Sequence, residues 1–268
     1  MLSQIFSDGY ARAGLDAKQA ALLADLYGRL REFFASDDRI KIRYASNDFL
    51  GGYRPTGFVH AGDPQQPDMN DSFIYWDPDR SRKIPHAEEV QWLLKALDAY
   101  RQGVAMRIVA DLVRELCDHY DHAAAPKFEE CSVLQCNSFG VASDREFLQT
   151  CHEDGVAATV IWTSGQGLEG CHEMDGTALL CGPEEVLVMP GSVLEVMTGG
   201  EVRSFYHKVR NHRDLERKSI MYFASFDISR GPIKPFVVND ENREIDIREL
   251  IRSGTDTFGL VKDFVLGP

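Results

Sequence analysis

After Pro126 the sequence becomes a succession of short apolar runs, each bounded by Gly, Pro, Asp or Asn. The runs cover residues 131–139, 156–162, 177–180, 186–189, 193–197, 202–209 and 219–226. Most are shorter than an ordinary helix, and the turn-forming residues between them mark the ends of strands. Many short strands in series predict an antiparallel sandwich or barrel.

The first 125 residues have helical periodicity instead. Apolar residues recur at steps of three and four in 16–35 and again in 86–122, where Gly103 interrupts the pattern. Residues 51–79, rich in Gly, Pro, Asp and aromatics, are typical of a loop. We predict one mainly β domain with N-terminal helices packed outside its core. Its parts are a helical and loop-rich segment (1–125), the β core (126–230) and a C-terminal segment (231–268).

Charge and composition exclude several classes of protein. The 268 residues carry a formal net charge of -13, which opposes binding to nucleic acid. No run of about 18 apolar residues could span a membrane, and the N-terminus lacks the features of a signal peptide. Six cysteines without a CxxC pair are typical of reduced thiols in a cytosol. We expect a cytoplasmic monomer or weak homodimer.

A candidate metal site begins at His152. Asp154 lies two residues further on, and side chains at i and i+2 of a strand project to the same face. His207 follows 55 residues after His152, in another predicted strand. Two imidazoles and one carboxylate form the facial triad that binds non-haem Fe(II) and leaves coordination positions open. We predict that these three residues bind iron and serve catalysis.

A second motif follows His207 by ten residues. Arg217 opens an apolar strand, and Ser219 shares its face of that strand. A guanidinium fork and a hydroxyl together suit a carboxylate. Two independent motifs at this spacing favour one site over a surface pair and an unrelated core histidine.

The series HxD, His and RxS resembles the pattern of isopenicillin N synthase-like Fe(II)/2-oxoglutarate oxygenases. Residues 189–200 resemble the turn that precedes the family's second histidine, and 52–53 and 67–73 resemble two upstream stretches. The resemblance extends over about residues 50–226. It implies a double-stranded β-helix, or jelly roll, that uses Fe(II), 2-oxoglutarate and O2.

By this resemblance, Arg217 and Ser219 bind the distal carboxylate of 2-oxoglutarate. Residues 135–139 stand where the family often has a tyrosine that assists the co-substrate, so Asn137 or Ser138 replaces it, with Asn137 the candidate carried forward. The family's substrate entrance corresponds to the loop-rich segment. The substrate-contacting candidates there are Arg54, Tyr53 and Phe73.

The expected activity is hydroxylation, desaturation or cyclisation of a small molecule, such as one derived from an amino acid, in specialised or natural-product metabolism. Succinate and CO2 would be released. Related halogenases have a small residue at the carboxylate position, so Asp154 disfavours halogenation. Two alternatives stay open: an Fe(II) oxidase of the same fold that takes its electrons from the substrate alone, and a metal-binding jelly roll without catalysis.

Overall fold

The computed structural model describes residues 1–47, 50–58, 65–140, 143–171, 178–213 and 217–257. The strands are β1 (Ala11–Gly14), β2 (Gly52–Arg54), β3 (Asp71–Tyr75), β4 (Val133–Phe139), β5 (Phe147–His152), β6 (Ala158–Thr163), β7 (Leu168–Gly170), β8 (Glu185–Pro190), β9 (His207–Arg210) and β10 (Arg217–Ala224). The helices are α1 (Leu2–Asp8), α2 (Ala17–Phe34), α3 (Asp38–Lys41), α4 (Pro78–Ser81), α5 (Gln91–Tyr100), α6 (Met106–His119), α7 (Ser192–Met197) and α8 (Ile247–Thr257).

The strands form two antiparallel sheets. The large sheet has the order β1-β8-β6-β10-β4-β3-β2, and the small sheet has the order β5-β9-β7. Side chains from both sheets line one cavity between them. The predicted mainly β core with helices outside it is confirmed.

The N-terminal helices pack on the outer face of the large sheet. A capping box starts α2, because Asp16 accepts from the Gln19 backbone while the Gln19 side chain accepts from the Asp16 backbone. A π-helical turn at Arg101–Ala105 separates α5 from α6, so the predicted interruption at Gly103 is confirmed. A Cβ atom on Gly103 would lie 2.5 Å from Leu22, so this glycine lets α2 approach closely. No described helix is long and apolar enough to cross a membrane.

Three predicted elements differ from the structure. The run 193–197 forms helix α7 and not a strand, since a short apolar run alone does not distinguish the two. The predicted loop 51–79 contains β2 and β3, which the pairing of β3 with β4 stabilises despite their turn-type residues. Within 202–209 the strand begins only at His207. Thr177, which opens the run 177–180, lies outside the described residues.

The cysteines are not all reduced. Cys151 and Cys171 form a disulfide with their Cα atoms 6.4 Å apart, a span within the usual range for this bond. The two residues come from strand β5 and from the end of β7, which flank β9 in the small sheet. The expectation of six free thiols is therefore wrong for this pair. The other four cysteines are free.

Candidate active site

The predicted iron triad comes together at one end of the small sheet. His152 ends β5, and His207 begins β9 directly opposite it in the strand register. Asp154 follows two residues after the end of β5. Potential ligand atoms of all three side chains lie within 4.8 Å of one another, and each residue is less than a tenth exposed. This spacing suits simultaneous coordination of one ion.

Hydrogen bonds to the backbone orient both imidazoles. His152 Nδ1 lies 2.7 Å from the carbonyl oxygen of Thr150, and His207 Nδ1 lies 3.3 Å from that of Phe205. A carbonyl only accepts, so each Nδ1 carries the proton and each Nε2 keeps its lone pair for a metal. Burial, and then the neighbouring His207, lower the pKa of His152 and favour the neutral form that coordinates.

Asp154 is fixed through both its side chain and its backbone. Thr159 Oγ1 donates to Oδ2, while Oδ1 lies 3.8 Å from His152 Nε2. The Asp154 carbonyl accepts from the backbone N–H of Ser192, 3.2 Å away, at the start of α7. Gly191 packs so closely that an added Cβ atom would lie 2.1 Å from that carbonyl oxygen. The two histidines and this carboxylate form a donor set that fits Fe(II).

Arg217 is a buried cation on the opposite wall of the cavity. It shares one face of β10 with Ser219, and its guanidinium lies over the Phe139 ring, 4.5 Å from the centroid. None of its three side-chain nitrogens has a hydrogen-bond partner among the described residues. Burial lowers the pKa of Arg217 to about 10, which leaves it protonated at neutral pH. A buried charge without a partner is unfavourable, so this wall is suited to an anion.

Asn137 adds a third donor beside this pair. It lies directly opposite Ser219 in the register of β4 and β10. Ser72 Oγ and Gln135 Nε2 donate to Asn137 Oδ1 at 3.0 and 2.9 Å. This arrangement leaves Asn137 Nδ2 buried with no partner in the described part of the chain. Ser138, the other candidate, lies in a separate pocket on the other face of the sheet.

Of the three predicted substrate residues, only Arg54 lines the cavity. Tyr53 and Phe73 pair with each other across β2 and β3 and face the helices, where the Phe73 ring lies 5.0 Å from that of Phe33. Because strand side chains alternate, residues next to Arg54 and Ser72 must face away from the cavity. The structure does not bring Tyr53 and Phe73 to the site, and we assign them to the core.

Sequence reasoning missed four polar residues of the cavity, namely Asp68, Gln135, Gln149 and Thr159. Gln149 Nε2 donates to Asp68 Oδ2 at 2.7 Å, and Asp68 is only 5% exposed. Asp68 lies in the upstream stretch 67–73, and Gln149 lies three residues before His152. Proximity to those motifs is the only signal in the sequence for either residue.

Comparison with known proteins agrees with this geometry. Residues 128–225, which include every residue of the triad and of the Arg217 wall, match the family model described as the 2OG-Fe(II) oxygenase superfamily. This match supports the Fe(II)/2-oxoglutarate oxygenase family for this chain. Members of this family use Fe(II), 2-oxoglutarate and O2.

The superfamily relatives are distant in sequence. The 1-aminocyclopropane-1-carboxylate oxidase homolog 9 of Arabidopsis thaliana is 23% identical in a 262-residue alignment that covers 85% of this chain and 66% of that protein. The chain therefore spans slightly less than two thirds of that relative.

Solved structures share the fold. The dioxygenase for auxin oxidation in rice has a TM-score of 0.71 and 18% identity, covering 96% of this chain and 89% of that chain. JOX2 in complex with 2OG, Fe and JA has a TM-score of 0.68 and 18% identity, covering 90% and 76%. At these identities the likeness establishes the fold, and the predicted jelly roll is confirmed.

Proposed function

We propose that this protein is an Fe(II)- and 2-oxoglutarate-dependent oxygenase that oxidises a C–H bond of a small molecule in specialised metabolism. In its hydroxylation form, one O2 is consumed, one oxygen atom enters the substrate, and 2-oxoglutarate is converted to succinate and CO2. Desaturation and ring closure use the same oxidant. Asp154, an intact carboxylate ligand, supports these outcomes over halogenation.

The observation that carries the proposal is the buried Arg217 guanidinium, which has no hydrogen-bond partner among the described residues and lies in the same cavity as the triad. 2-Oxoglutarate is a dianion with a chelating end and a free carboxylate. It matches a cavity that has metal ligands on one wall and a cation on the other. Arg217, Ser219 and Asn137 would bind the free carboxylate with charge-assisted and neutral hydrogen bonds.

The metal-binding residues have a complementary role. We propose that Fe(II) binds His152, Asp154 and His207, whose three donors leave positions open for other ligands. When bound, Fe(II) supplies the redox chemistry with O2 and 2-oxoglutarate. The protein holds both imidazoles in the coordinating tautomer and excludes bulk water from the cavity.

The test is an anaerobic titration of the apoprotein with Fe(II) and then with 2-oxoglutarate. We expect the weak visible charge-transfer band of a chelated 2-oxo acid, and succinate after O2 is admitted with substrate. Arg217→Gln should weaken the band at a given 2-oxoglutarate concentration, whereas Ser138→Ala, on the other face of β4, should leave it unchanged.

Other outcomes separate the alternatives. Iron binding without a band, together with substrate oxidation that forms no succinate, would favour the oxidase that takes its electrons from the substrate. Iron and 2-oxoglutarate binding without turnover would favour the non-catalytic jelly roll. Failure to bind iron would refute the proposal.

A further inference from the structure

Two hydrogen bonds hold the side-chain amide of Asn137 from different directions. Ser72 lies directly opposite Asn137 in the register of β3 and β4, and its Oγ donates to Asn137 Oδ1 at 3.0 Å. Gln135 lies two residues earlier on the same face of β4, and its Nε2 donates to the same oxygen at 2.9 Å. A carbonyl oxygen has two lone pairs, which these two donors occupy. Only the Nδ2 donor of Asn137 remains for a ligand in the cavity.

Asn70 sets the direction of the hydrogen bond from Ser72. Asn70 Nδ2 donates to Ser72 Oγ at 3.0 Å. Because a hydroxyl has a single proton, Ser72 accepts this bond and donates its own proton to Asn137. The other end of the network is left unsatisfied, since Asn70 Oδ1 has no hydrogen-bond partner in the described part of the chain although Asn70 is only 3% exposed. The series of bonds from Asn70 through Ser72 therefore ends with a donor at Asn137.

This orientation of Asn137 matches the rest of the wall around Arg217. The side chain of Arg217 contains only donors, and Ser219, which is paired directly with Asn137, adds a hydroxyl. All three residues line the same cavity. With its amide turned by half a rotation, Asn137 would present Oδ1, and two oxygens that only accept would face each other at a buried site. The direction of the Asn137 amide therefore decides whether this side chain attracts or repels a carboxylate.

We propose that Ser72 and Gln135 are positioning residues for the co-substrate, because they hold Asn137 with Nδ2 towards the free carboxylate of 2-oxoglutarate. This inference rests on the proposed function. Each residue acts through the Asn137 amide, whose acceptor oxygen it occupies. Asn70 contributes indirectly, by leaving the Ser72 proton for Asn137. A donor fixed in this way before the co-substrate arrives does not have to be ordered on binding.

The experiment titrates the full chain, loaded with Fe(II) under anaerobic conditions, with two 2-oxo acids and follows the visible charge-transfer band. 2-Oxoglutarate has a chelating end and a free carboxylate, whereas pyruvate has only the chelating end. Ser72→Ala removes one donor to Asn137 Oδ1, and Gln135→Glu replaces the other with an acceptor that attracts Nδ2 away from the cavity. We expect the Kd for 2-oxoglutarate to rise about threefold or more in Ser72→Ala and about tenfold or more in Gln135→Glu. The Kd for pyruvate and the wavelength of the band at saturation should stay unchanged.

Double variants separate positioning from a direct effect on the co-substrate. In the Asn137→Ala background, Ser72→Ala and Gln135→Glu should cause no further weakening, because the amide through which they act is gone. Direct repulsion of 2-oxoglutarate by the introduced carboxylate would persist in that background. Gln135→Met, which removes the donor without adding an acceptor, should have a smaller effect than Gln135→Glu.

Ser138→Ala is the matched serine control, because Ser138 lies on the other face of β4 in a separate pocket and should change neither Kd. If Ser72→Ala does not fold, the two Gln135 variants carry the test, since Gln135 is only partly buried.

Each result has one meaning. If the band forms in the wild type but the variants leave the Kd for 2-oxoglutarate unchanged, or weaken both 2-oxo acids equally, the positioning role is overturned and the proposed function stands. The same conclusion follows if the full effect of either variant persists in the Asn137→Ala background. If the band never forms in the wild type, the proposed function fails and the inference fails with it.

Discussion

Arg217 illustrates how a single residue can be placed for binding at the expense of stability. Its guanidinium is buried over Phe139 and has no hydrogen-bond partner in the described part of the chain. A buried, unpaired charge destabilises the folded state until an anion arrives. Functional sites often carry such a cost, and removing it raises stability while function is lost.

Arg217→Met should therefore raise the free energy of unfolding of the apoprotein by about 1 kcal/mol or more while weakening 2-oxoglutarate binding at least about 100-fold. Thermal unfolding without ligands and a 2-oxoglutarate titration measure the two effects. Arg210→Met is the matched control, because Arg210 pairs with Glu169 and Glu146 and its loss should not stabilise the protein. A lower unfolding temperature for Arg217→Met would mean that the charge is already compensated.

Asn137 offers a donor whose direction is set by its neighbours. Ser72 and Gln135 both donate to Oδ1, so Nδ2 is the atom left for the co-substrate. Asn137→Asp replaces this donor with an acceptor that repels a carboxylate, and the Kd for 2-oxoglutarate should rise about tenfold or more. Ser138→Ala, which changes the adjacent side chain on the opposite face, should leave the Kd unchanged. Equal effects of the two substitutions would exclude a direct role for Asn137.

At the scale of elements, the start of α7 packs against the backbone of Asp154 in the candidate metal site. The helix begins where the Ser192 N–H meets the Asp154 carbonyl, and Gly191 packs against the carbonyls of both Asp154 and Val156. This close packing ties the segment after β5 to the end of β8. The position of Asp154, the candidate carboxylate ligand, therefore depends on an element that contributes no candidate ligand itself.

Gly191→Ala should displace Asp154, because the new methyl group would lie 2.1 Å from one carbonyl oxygen and 2.4 Å from another. We expect Fe(II) affinity to fall about tenfold or more and the protein to lose about 1–3 kcal/mol of stability. Anaerobic iron titration and thermal unfolding test this. Gly165→Ala is the control, since nothing lies within 4 Å of a Cβ atom there. Unchanged iron affinity in Gly191→Ala would show that Asp154 tolerates the shift.

The same elements explain which parts of the fold the sequence could predict. Strands β4 and β10 were predictable because long β-rich runs end at clear turn residues, and α2 because its cap precedes a periodic apolar stripe. Helix α7 was not predictable, since its apolar run suits either a helix or a strand. Contacts with the segment that contains Asp154 decide between the two. Strand β3 depends on pairing with β4, and β2 depends on pairing with β3; no local sequence pattern reports either non-local interaction.

For the candidate site, motif spacing was enough to predict that His152, Asp154 and His207 lie together and that Arg217 and Ser219 share a strand face. Arg54 could be named from its segment, but the face of β2 on which it lies follows from the register with Ser72. Without that register, the sequence does not show that Tyr53 faces the helices, where its ring lies 6.3 Å from that of Phe33. Asp68 became visible only through its hydrogen bond to Gln149 on the other sheet.

At the scale of the molecule, the candidate residues for the metal and for the co-substrate carboxylate lie on different sheets. The candidate metal ligands belong to the small sheet or its continuation, whereas Arg217, Ser219 and Asn137 belong to the large sheet. A 2-oxoglutarate molecule that chelates iron and reaches Arg217 would therefore link one sheet to the other. Fe(II) alone cannot make both contacts, and a dicarboxylate without the 2-oxo group lacks the chelating end.

Stabilisation by Fe(II) and 2-oxoglutarate should accordingly be cooperative. At a concentration of 100 times its Kd, a ligand raises the free energy of unfolding by about 2.7 kcal/mol. At a fixed concentration of about 100 times its Kd for the Fe(II)-loaded protein, we expect 2-oxoglutarate to reach this value only when Fe(II) is present, and glutarate, which lacks the chelating 2-oxo group, to give a much smaller shift. Anaerobic thermal unfolding with each ligand singly and together measures the coupling. Additive shifts would mean that the two ligands occupy independent sites, whereas loss of the coupling in Arg217→Gln would assign the link between the sheets to that side chain.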